Sequence, residues 1–187
     1  LEAKAQRLKH LTEDVVEASK ISSGNITMEY MNINFVEMIN QTTGEFAEKF
    51  EKRNLQIVLN VPEKPVMVRT DGRRMWRVIE NIYNNAAKYA LEGTRVYADL
   101  IEKEHTVEFS LKNISEQPLN ISADELTERF IRGDVSRSTE GSGLGLSIAK
   151  NLTELQGGKF ELYLDGDLFK VTIVFPKAVV GQSVTKS

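Results

Sequence analysis

The order in which hydrophobic patterns follow one another constrains the fold of this chain more than any other sequence feature. Segments that alternate apolar and polar residues, as strands do, occur largely as hairpin-connected pairs, and segments with helical spacing are interspersed among them. Strand and helix alternate only in part, which disfavours a doubly wound sheet. We therefore predict an α+β fold, a two-layer α/β sandwich with helices on one face of a mixed, mostly antiparallel sheet.

The predicted elements fill most of the chain. Helices are predicted over 1–20, 35–53, 72–90 and 144–155, with a short acidic helix over 122–130. Strands are predicted over 27–34, 55–61, 66–70, 95–101, 107–112, 159–164 and 168–175. The helix from residue 72 is expected to be capped by Asp71 and to bury Met75, Val78, Ile79, Ile82 and Ala86. Residues 131–142 are Ser-rich and Gly-rich without periodicity, which predicts a mobile loop.

The first helix has apolar residues at alternating spacings of four and three, the seam of a helix that packs against other helices. This seam comprises Leu1, Ala5, Leu8, Leu11 or Thr12, Val15 and Ala18. We expect residues 1–22 to be a coiled-coil-like segment that needs a partner helix, 23–178 to form one domain, and 179–187 to be a disordered tail. An amphipathic helix lying on its own domain is the alternative.

Composition excludes several functional classes. The 187 residues contain no Cys and two separated His, which excludes thiol chemistry and leaves little for a His-based metal centre. The net charge of -3 provides no overall positive field for nucleic acid or an anionic membrane. Nothing approaches the length of an apolar membrane span, and the first residues lack the apolar core of a signal peptide. Any anionic ligand must therefore be bound locally.

The helix over 72–90 carries an unusual polar stripe. Asn81, Asn85 and Lys88 are spaced by four and three residues, so that their side chains project from one face. Asn is a mediocre helix former, and three occur within five residues. The stripe indicates a binding surface for a polar ligand, with an ordinary solvated face as the alternative.

A glycine-rich segment over 141–150 leads directly into the next helix. Glycines allow the backbone to approach phosphate oxygens, and the first N–H groups of a helix favour an anion. The segment differs from the dinucleotide fingerprint because Leu146 occupies the position of the third Gly, and the chain contains no Walker loop. It predicts a phosphate-binding helix start, although a simple hinge would have the same composition.

These motifs together resemble the ATP-binding catalytic domain of sensor histidine kinases, in the gyrase/Hsp90/histidine kinase/MutL superfamily. Residues 81–89 resemble the N box, 128–134 the F box, and 141–150 the second glycine box. Residues 8–20 resemble the second helix of the dimerisation domain that precedes the catalytic domain in this family. The resemblance covers nearly the whole chain and implies a Bergerat-type ATP-binding fold.

The resemblance also implies site residues. Asn85 would hold Mg²⁺, Lys88 would pair with phosphate oxygens, and Tyr89 would pack beside the nucleoside. Asn81 stands where ATP-hydrolysing relatives carry a general-base Glu, and Glu80, about 100° around the helix, is a poor substitute. Further implied nucleotide contacts are Gly141, Gly143, Leu144, Gly145 and Leu146, and the implied catalytic set is Asn81, Lys88, Arg132 and Arg137.

Arg132 and Arg137 flank the predicted loop, from which they could reach the terminal phosphate. Solvated loop arginines are the alternative for both. Phe130 is expected to anchor this loop in the core.

Two departures from the family are visible. The first glycine box has no literal match, and residues 112–118 contain no Gly. Asn113 is expected to replace the Asp that accepts from the adenine amino group, with a strand-end cap as the alternative. His10 and His105 both lack the sequence context of a phosphoacceptor, so the acceptor is expected outside this chain.

The resemblance implies an ATP-dependent protein-histidine kinase that uses ATP and Mg²⁺. Its implied partners are the dimerisation and phosphoacceptor helices of the parent kinase, a response regulator and a second copy in a homodimer, with no nucleic acid. The chain is expected to be the cytoplasmic part of a membrane-anchored parent. The alternatives are a nucleotide-binding scaffold that has lost catalysis, suggested by the missing first glycine box, and an ATP hydrolase.

Overall fold

A computed structural model describes residues 1–119, 122, 124–125 and 144–179. The helices are α1 (Glu2–Ser23), α2 (Phe35–Lys52), α3 (Gly72–Tyr89) and α4 (Gly145–Leu155). The strands are β1 (Tyr30–Asn34), β2 (Gln56–Asn60), β3 (Met67–Asp71), β4 (Arg95–Glu102), β5 (Thr106–Ile114), β6 (Lys159–Asp165) and β7 (Leu168–Pro176). The predicted loop at 131–142 and nearly all of the predicted helix at 122–130 lie outside the described residues.

The main sheet has five strands in the order β2-β4-β5-β7-β6. β2 pairs with β4 in parallel, and the other three pairs are antiparallel. Burial alternates along β4, β5 and β7, because one face packs on the helices while the other faces solvent. The predicted α+β architecture with a mixed, mostly antiparallel sheet is thereby confirmed.

A second, two-stranded sheet consists of β1 and β3. These strands pair antiparallel, with Tyr30 opposite Asp71. After β7 the chain returns to β3, where Lys177 bridges Val68 and the Ala178 N–H donates to the Met67 carbonyl at 3.1 Å. The sequence predicted both strands but did not reveal that they form a separate ribbon, because pairing partners distant in sequence leave no local pattern.

α3 is the central helix of the helical layer. The five residues predicted to be buried on it have at most 2% of their surface exposed. Between them lies Tyr83, whose ring stacks on Phe109 of β5 at a centroid distance of 6.4 Å. The Tyr83 and Thr43 hydroxyls are 2.7 Å apart, and burial raises the pKa of Tyr83 to about 12, against the opposing effect of this hydrogen bond. Aromatic packing thus joins α3 to both α2 and the sheet.

α1 extends to Ser23 and ends at Gly24, which adopts the left-handed conformation with φ 70°. Its polar edge contacts α3, where Asp14 pairs with Arg77 and Glu17 pairs with Arg74. The predicted apolar seam faces elsewhere, and Leu8 and Val15 remain 64% and 52% exposed. α1 therefore contacts the rest of the chain through these charged residues and through Ile21, which packs against the core, while most of its seam stays uncovered. Among the described residues, no helix combines the length and apolar character that a membrane span requires.

Candidate functional site

The start of α3 is held by a buried polar junction. Asp71 is the N-cap, as predicted, and its Oδ1 accepts from the Arg74 N–H at 3.1 Å. Its Oδ2 accepts from the Glu29 N–H at 2.9 Å. Its own N–H donates to Oε1 of Gln156, at the end of α4, at 2.9 Å. These hydrogen bonds determine where the helix begins and how it meets α4.

Asn81 lies in the middle of α3 and faces the first turn of α4. A methyl group built on Gly145 would lie 3.8 Å from both Cγ and Oδ1 of Asn81. The Asn81 side chain is buried, and its Nδ2 atom has no hydrogen-bond partner within the part of the chain that the structure describes. A buried donor of this kind is costly unless a ligand or water accepts from it. The Asn81 amide is therefore the clearest mark of a ligand site on α3.

The rest of the stripe becomes more exposed toward the end of α3. Asn85 is half-buried and Lys88 is exposed. Asn84 has a different role, because its Oδ1 accepts from Lys49 of α2 at 2.8 Å. The stripe thus leads from a buried amide to a solvent-exposed ammonium, and the neighbouring Asn belongs to the contact between two helices.

α4 begins with the residues predicted to bind phosphate. Leu144 is the N-cap, and its carbonyl accepts from the Ile148 N–H and the Ser147 hydroxyl, each at 2.9 Å. The N–H groups of Gly145 and Leu146 precede the first intrahelical hydrogen bond, and the hydrocarbon side chain of Leu144 offers them no acceptor. The Leu146 side chain is buried in the core, which leaves only its backbone for ligand contact.

Several predicted site residues lie outside the described residues. These are Phe130, Arg132, Arg137, Gly141 and Gly143, and their assignments stay predictions.

The far end of α3 is joined to the end of β5. The Glu116 N–H donates to the Tyr89 carbonyl at 2.8 Å, and the Leu91 N–H donates to the Ile114 carbonyl at 2.7 Å. Asn113 is buried and continues the row of inward-facing residues on β5, whose members are Val107, Phe109 and Leu111. The structure therefore brings the predicted nucleoside residues Tyr89 and Asn113 to the same end of α3.

Arg53, just after α2, is a residue of this region that sequence reasoning missed. Its Nη1 donates to the carbonyls of Ala87 and Lys88, each at 2.8 Å. Its Nη2 donates to Glu116 at 3.3 Å, in the segment that lacks the first glycine box. An Arg at a helix end is common, and only the tertiary structure shows that this one caps a different helix and holds a loop.

Glu80 lies on another face of α3. Its carboxylate accepts from Arg77 at 3.5 Å, and Arg77 also binds Asp14 of α1. Burial raises the pKa of Glu80, while the positive charge and hydrogen bond of Arg77 act in the opposite direction. Glu80 is therefore part of the contact with α1 and not of the Asn81 face.

One surface groove is separate from the site. A groove of about 590 Å³ lies among α1, α2 and α3 and is lined by Met38, Gln41 and Trp76, among others, but by none of the stripe residues. No group of three or more His, Cys, Asp or Glu side chains able to hold a metal ion occurs among the residues described.

This chain is similar to known proteins in sequence and in fold. Residues 70–179 match the family model described as histidine kinase-, DNA gyrase B-, and HSP90-like ATPase. The sensor protein KdpD of Clostridium acetobutylicum is 31% identical over 176 residues, covering 89% of this chain and 19% of KdpD. The sensor protein VanSC of Enterococcus gallinarum is 29% identical, covering 93% of this chain and 48% of VanSC. This chain thus spans less than half the length of either relative.

Among solved structures, the catalytic domain of the histidine kinase ThkA is similar, with a TM-score of 0.69 and 25% sequence identity. The similarity covers 80% of this chain and 99% of the ThkA chain.

Proposed function

We propose that this chain, which belongs to the histidine kinase-, DNA gyrase B- and HSP90-like ATPase family, is the ATP-binding catalytic portion of a sensor histidine kinase. It would transfer the γ-phosphoryl group of ATP to a His on a dimerisation domain outside this chain. The observation that carries this proposal is the buried, unpartnered Nδ2 of Asn81, within the described residues, against the glycine at the start of α4.

The nucleotide would lie along α3. Its phosphates would meet the backbone N–H groups at the start of α4, where the helix dipole also favours negative charge. Lys88 would pair with phosphate oxygens as a point charge. Tyr89 and Asn113 would contact the nucleoside, because both lie near the C-terminal end of α3, where the side-chain carbonyl of Asn113 can accept from an adenine amino group.

Mg²⁺ fits the donors on this face. The Asn85 amide oxygen is a hard ligand of the kind Mg²⁺ takes, and Asn85 is half-buried beside the proposed phosphate position. Mg²⁺ binds through few protein ligands plus phosphates and water, so a single amide is a sufficient protein contribution. When bound, the cation would neutralise charge on the phosphates.

Phosphoryl transfer fits this chain better than hydrolysis. The amide of Asn81 cannot take a proton from water, and Glu80 is engaged with Arg77 on another face. In transfer, a bond from the acceptor nitrogen to the γ-phosphorus forms as the bond to the β–γ bridging oxygen breaks, and ADP leaves. The protein contributes positioning and charge stabilisation, a role we assign to Lys88, Arg132 and Arg137.

The partners follow from the same assignment. The exposed seam of α1 would pack against the other helices of the dimerisation domain, and the full-length protein would be a homodimer. A response regulator would receive the phosphoryl group, as supported by the solved complex of ThkA with the response regulator TrrA. The parent would be membrane-anchored with this part in the cytoplasm.

Nucleotide binding is the first test. The chain is titrated with a non-hydrolysable ATP analogue, with and without Mg²⁺, and we expect Mg²⁺ to increase the affinity. Affinity without any metal dependence would favour the scaffold alternative, which is motivated by the glycine-free segment at 112–118.

Phosphoryl transfer is the second test. Labelled ATP is added to the chain together with a separate helical segment that carries the acceptor His, and acid-labile phosphohistidine is the expected product. Steady release of phosphate by the chain alone, with no phosphohistidine, would instead identify a hydrolase.

A further inference from the structure

Gln156 connects the end of α4 to the start of α3. Its side chain is 6% exposed, and both polar atoms of its amide are hydrogen-bonded. Oε1 accepts from the Asp71 N–H at 2.9 Å, and Nε2 donates to the Leu152 carbonyl of α4 at 3.0 Å. One side chain therefore joins the last turn of α4 to the N-cap of α3.

α3 and α4 pack against each other, and two well-separated contacts lie at opposite ends of their interface. One is the Gln156 junction, between the N-cap of α3 and the C-cap of α4. The other is the pair Gly145 and Asn81, at the first residue of α4 and the middle of α3. The two helices thus run in opposite senses, joined by Gln156 at one end and in close contact at Gly145 and Asn81 at the other, beside the proposed phosphate position.

A small rotation of α4 at the Gln156 junction is amplified at the other end of the helix. α4 has 11 residues and is therefore about 16 Å long. A tilt of α4 by about 5° at Gln156 would move Gly145 by more than about 1 Å. A displacement of this size in a catalytic site can lower the reaction rate about a hundredfold. Without its acceptor, the buried N–H of Asp71 would be unsatisfied, and such a group is costly enough to drive a local rearrangement.

We propose that Gln156 is a positioning residue that keeps the phosphate-binding start of α4 opposite Asn81 by holding the other end of the helix against Asp71. The inference rests on the proposed function. Gln156 does not touch the nucleotide, and its effect on binding is transmitted by α4 as a rigid element.

The test compares Gln156→Met with Thr153→Val. Met has a similar length but cannot accept from Asp71. Thr153 lies on the same helix, is fully buried, and donates from Oγ1 to the Ala149 carbonyl at 2.7 Å, so its substitution removes a hydrogen bond internal to α4. Both variants lose stability, but only the first loses the connection to α3.

Two quantities are measured on the whole chain: the Kd for the ATP analogue with Mg²⁺, and the midpoint of urea unfolding. We expect Gln156→Met to weaken nucleotide binding about tenfold while Thr153→Val stays within about twofold of the wild type, even where their unfolding midpoints are similar. A residue that only stabilised the fold would lower the midpoint without changing the Kd of the folded protein.

If Gln156→Met does not fold, Gln156→Asn decides, because an Asn amide is one methylene too short to reach Asp71 but stays polar. Equal affinities for the folded Gln156 variant and Thr153→Val overturn the inference while leaving the proposed function intact. A wild-type chain that binds no nucleotide overturns the proposed function itself, so the two failures are distinguishable.

Discussion

The C-terminal end of α3 and the middle of the same helix differ in whether their polar groups are hydrogen-bonded. At the end near Tyr89, the helix carbonyls accept from Arg53 and Glu116, and the adjoining segment is held by backbone hydrogen bonds. At the middle of the helix, the Asn81 Nδ2 is buried without a partner in the described part of the chain. The polar groups that are hydrogen-bonded within the fold define the shape of the site, and the amide donor that is left without a partner indicates where a ligand binds.

The largest expected effect is that of Asn85→Ala, which removes the only protein ligand we assign to Mg²⁺. We expect the Mg²⁺-dependent part of nucleotide affinity to disappear, a loss of about a hundredfold or about 3 kcal/mol, measured by calorimetric titration with and without the metal. Asn84→Ala is the matched control, because Asn84 binds Lys49 on the adjacent face. Similar losses in the two variants would contradict the assignment of the stripe.

Asn81→Leu tests the unsatisfied amide in the middle of α3 directly. Because the substitution replaces a buried amide whose donor is unpartnered, we expect the free energy of unfolding to rise by about 1 kcal/mol. The same change should weaken nucleotide binding about tenfold, since the ligand loses its contact with the amide. Urea unfolding and nucleotide titration measure the two quantities. A variant that is less stable than the wild type would show that the fold itself satisfies Asn81.

Arg53→Ala tests the C-terminal end of α3, where the backbone carbonyls are hydrogen-bonded. The carbonyls of Ala87 and Lys88 would lose a charged donor but would become accessible to water, so we expect a stability loss of only about 1 kcal/mol. Nucleotide affinity should fall about threefold through loosening of Tyr89 and the 112–118 segment.

Lys52→Ala provides the comparison for Arg53→Ala, because Lys52 is exposed and pairs only with Glu48 among the described contacts. An Arg53→Ala variant that matches this control in both affinity and stability would mean that the loop needs no support from Arg53.

The smallest effect on binding is expected at Tyr83, which lies on the buried face of α3 and belongs to neither of the two regions. Its pKa is raised to about 12 in the folded protein from an ordinary value of 10, so the unfolded chain releases the proton first as pH rises. The stabilisation that Tyr83 contributes is therefore complete below pH 10. The free energy of unfolding then falls by about 3 kcal/mol between about pH 10 and 12.

In Tyr83→Phe this component of alkaline destabilisation should disappear, at a cost of about 1 kcal/mol at neutral pH for the lost contact with Thr43. Urea unfolding at several pH values measures the slope, and nucleotide affinity at neutral pH should stay unchanged. A persistent slope in the variant would assign it to another group.

Much of the fold was predictable because its signals are local. Asp71 as N-cap and the buried positions of α3 follow from the spacing of residues within one helix, and the structure confirms them. The polar stripe was visible for the same reason. The β1–β3 ribbon, the role of Arg53 and the Gln156 junction were not predictable, because each depends on residues that are 33 or more positions apart in the sequence.

By itself, the sequence determined the elements of this protein and the residues that share a helix face, because hydrophobic spacing and capping act within a few residues. Only the folded chain shows that Asn81 faces the start of α4, that Asn84 contacts Lys49 of α2, and that one glutamine joins α4 to the N-cap of α3. Hydrogen bonds between distant segments form only once the core has packed, so their partners cannot be read from local pattern.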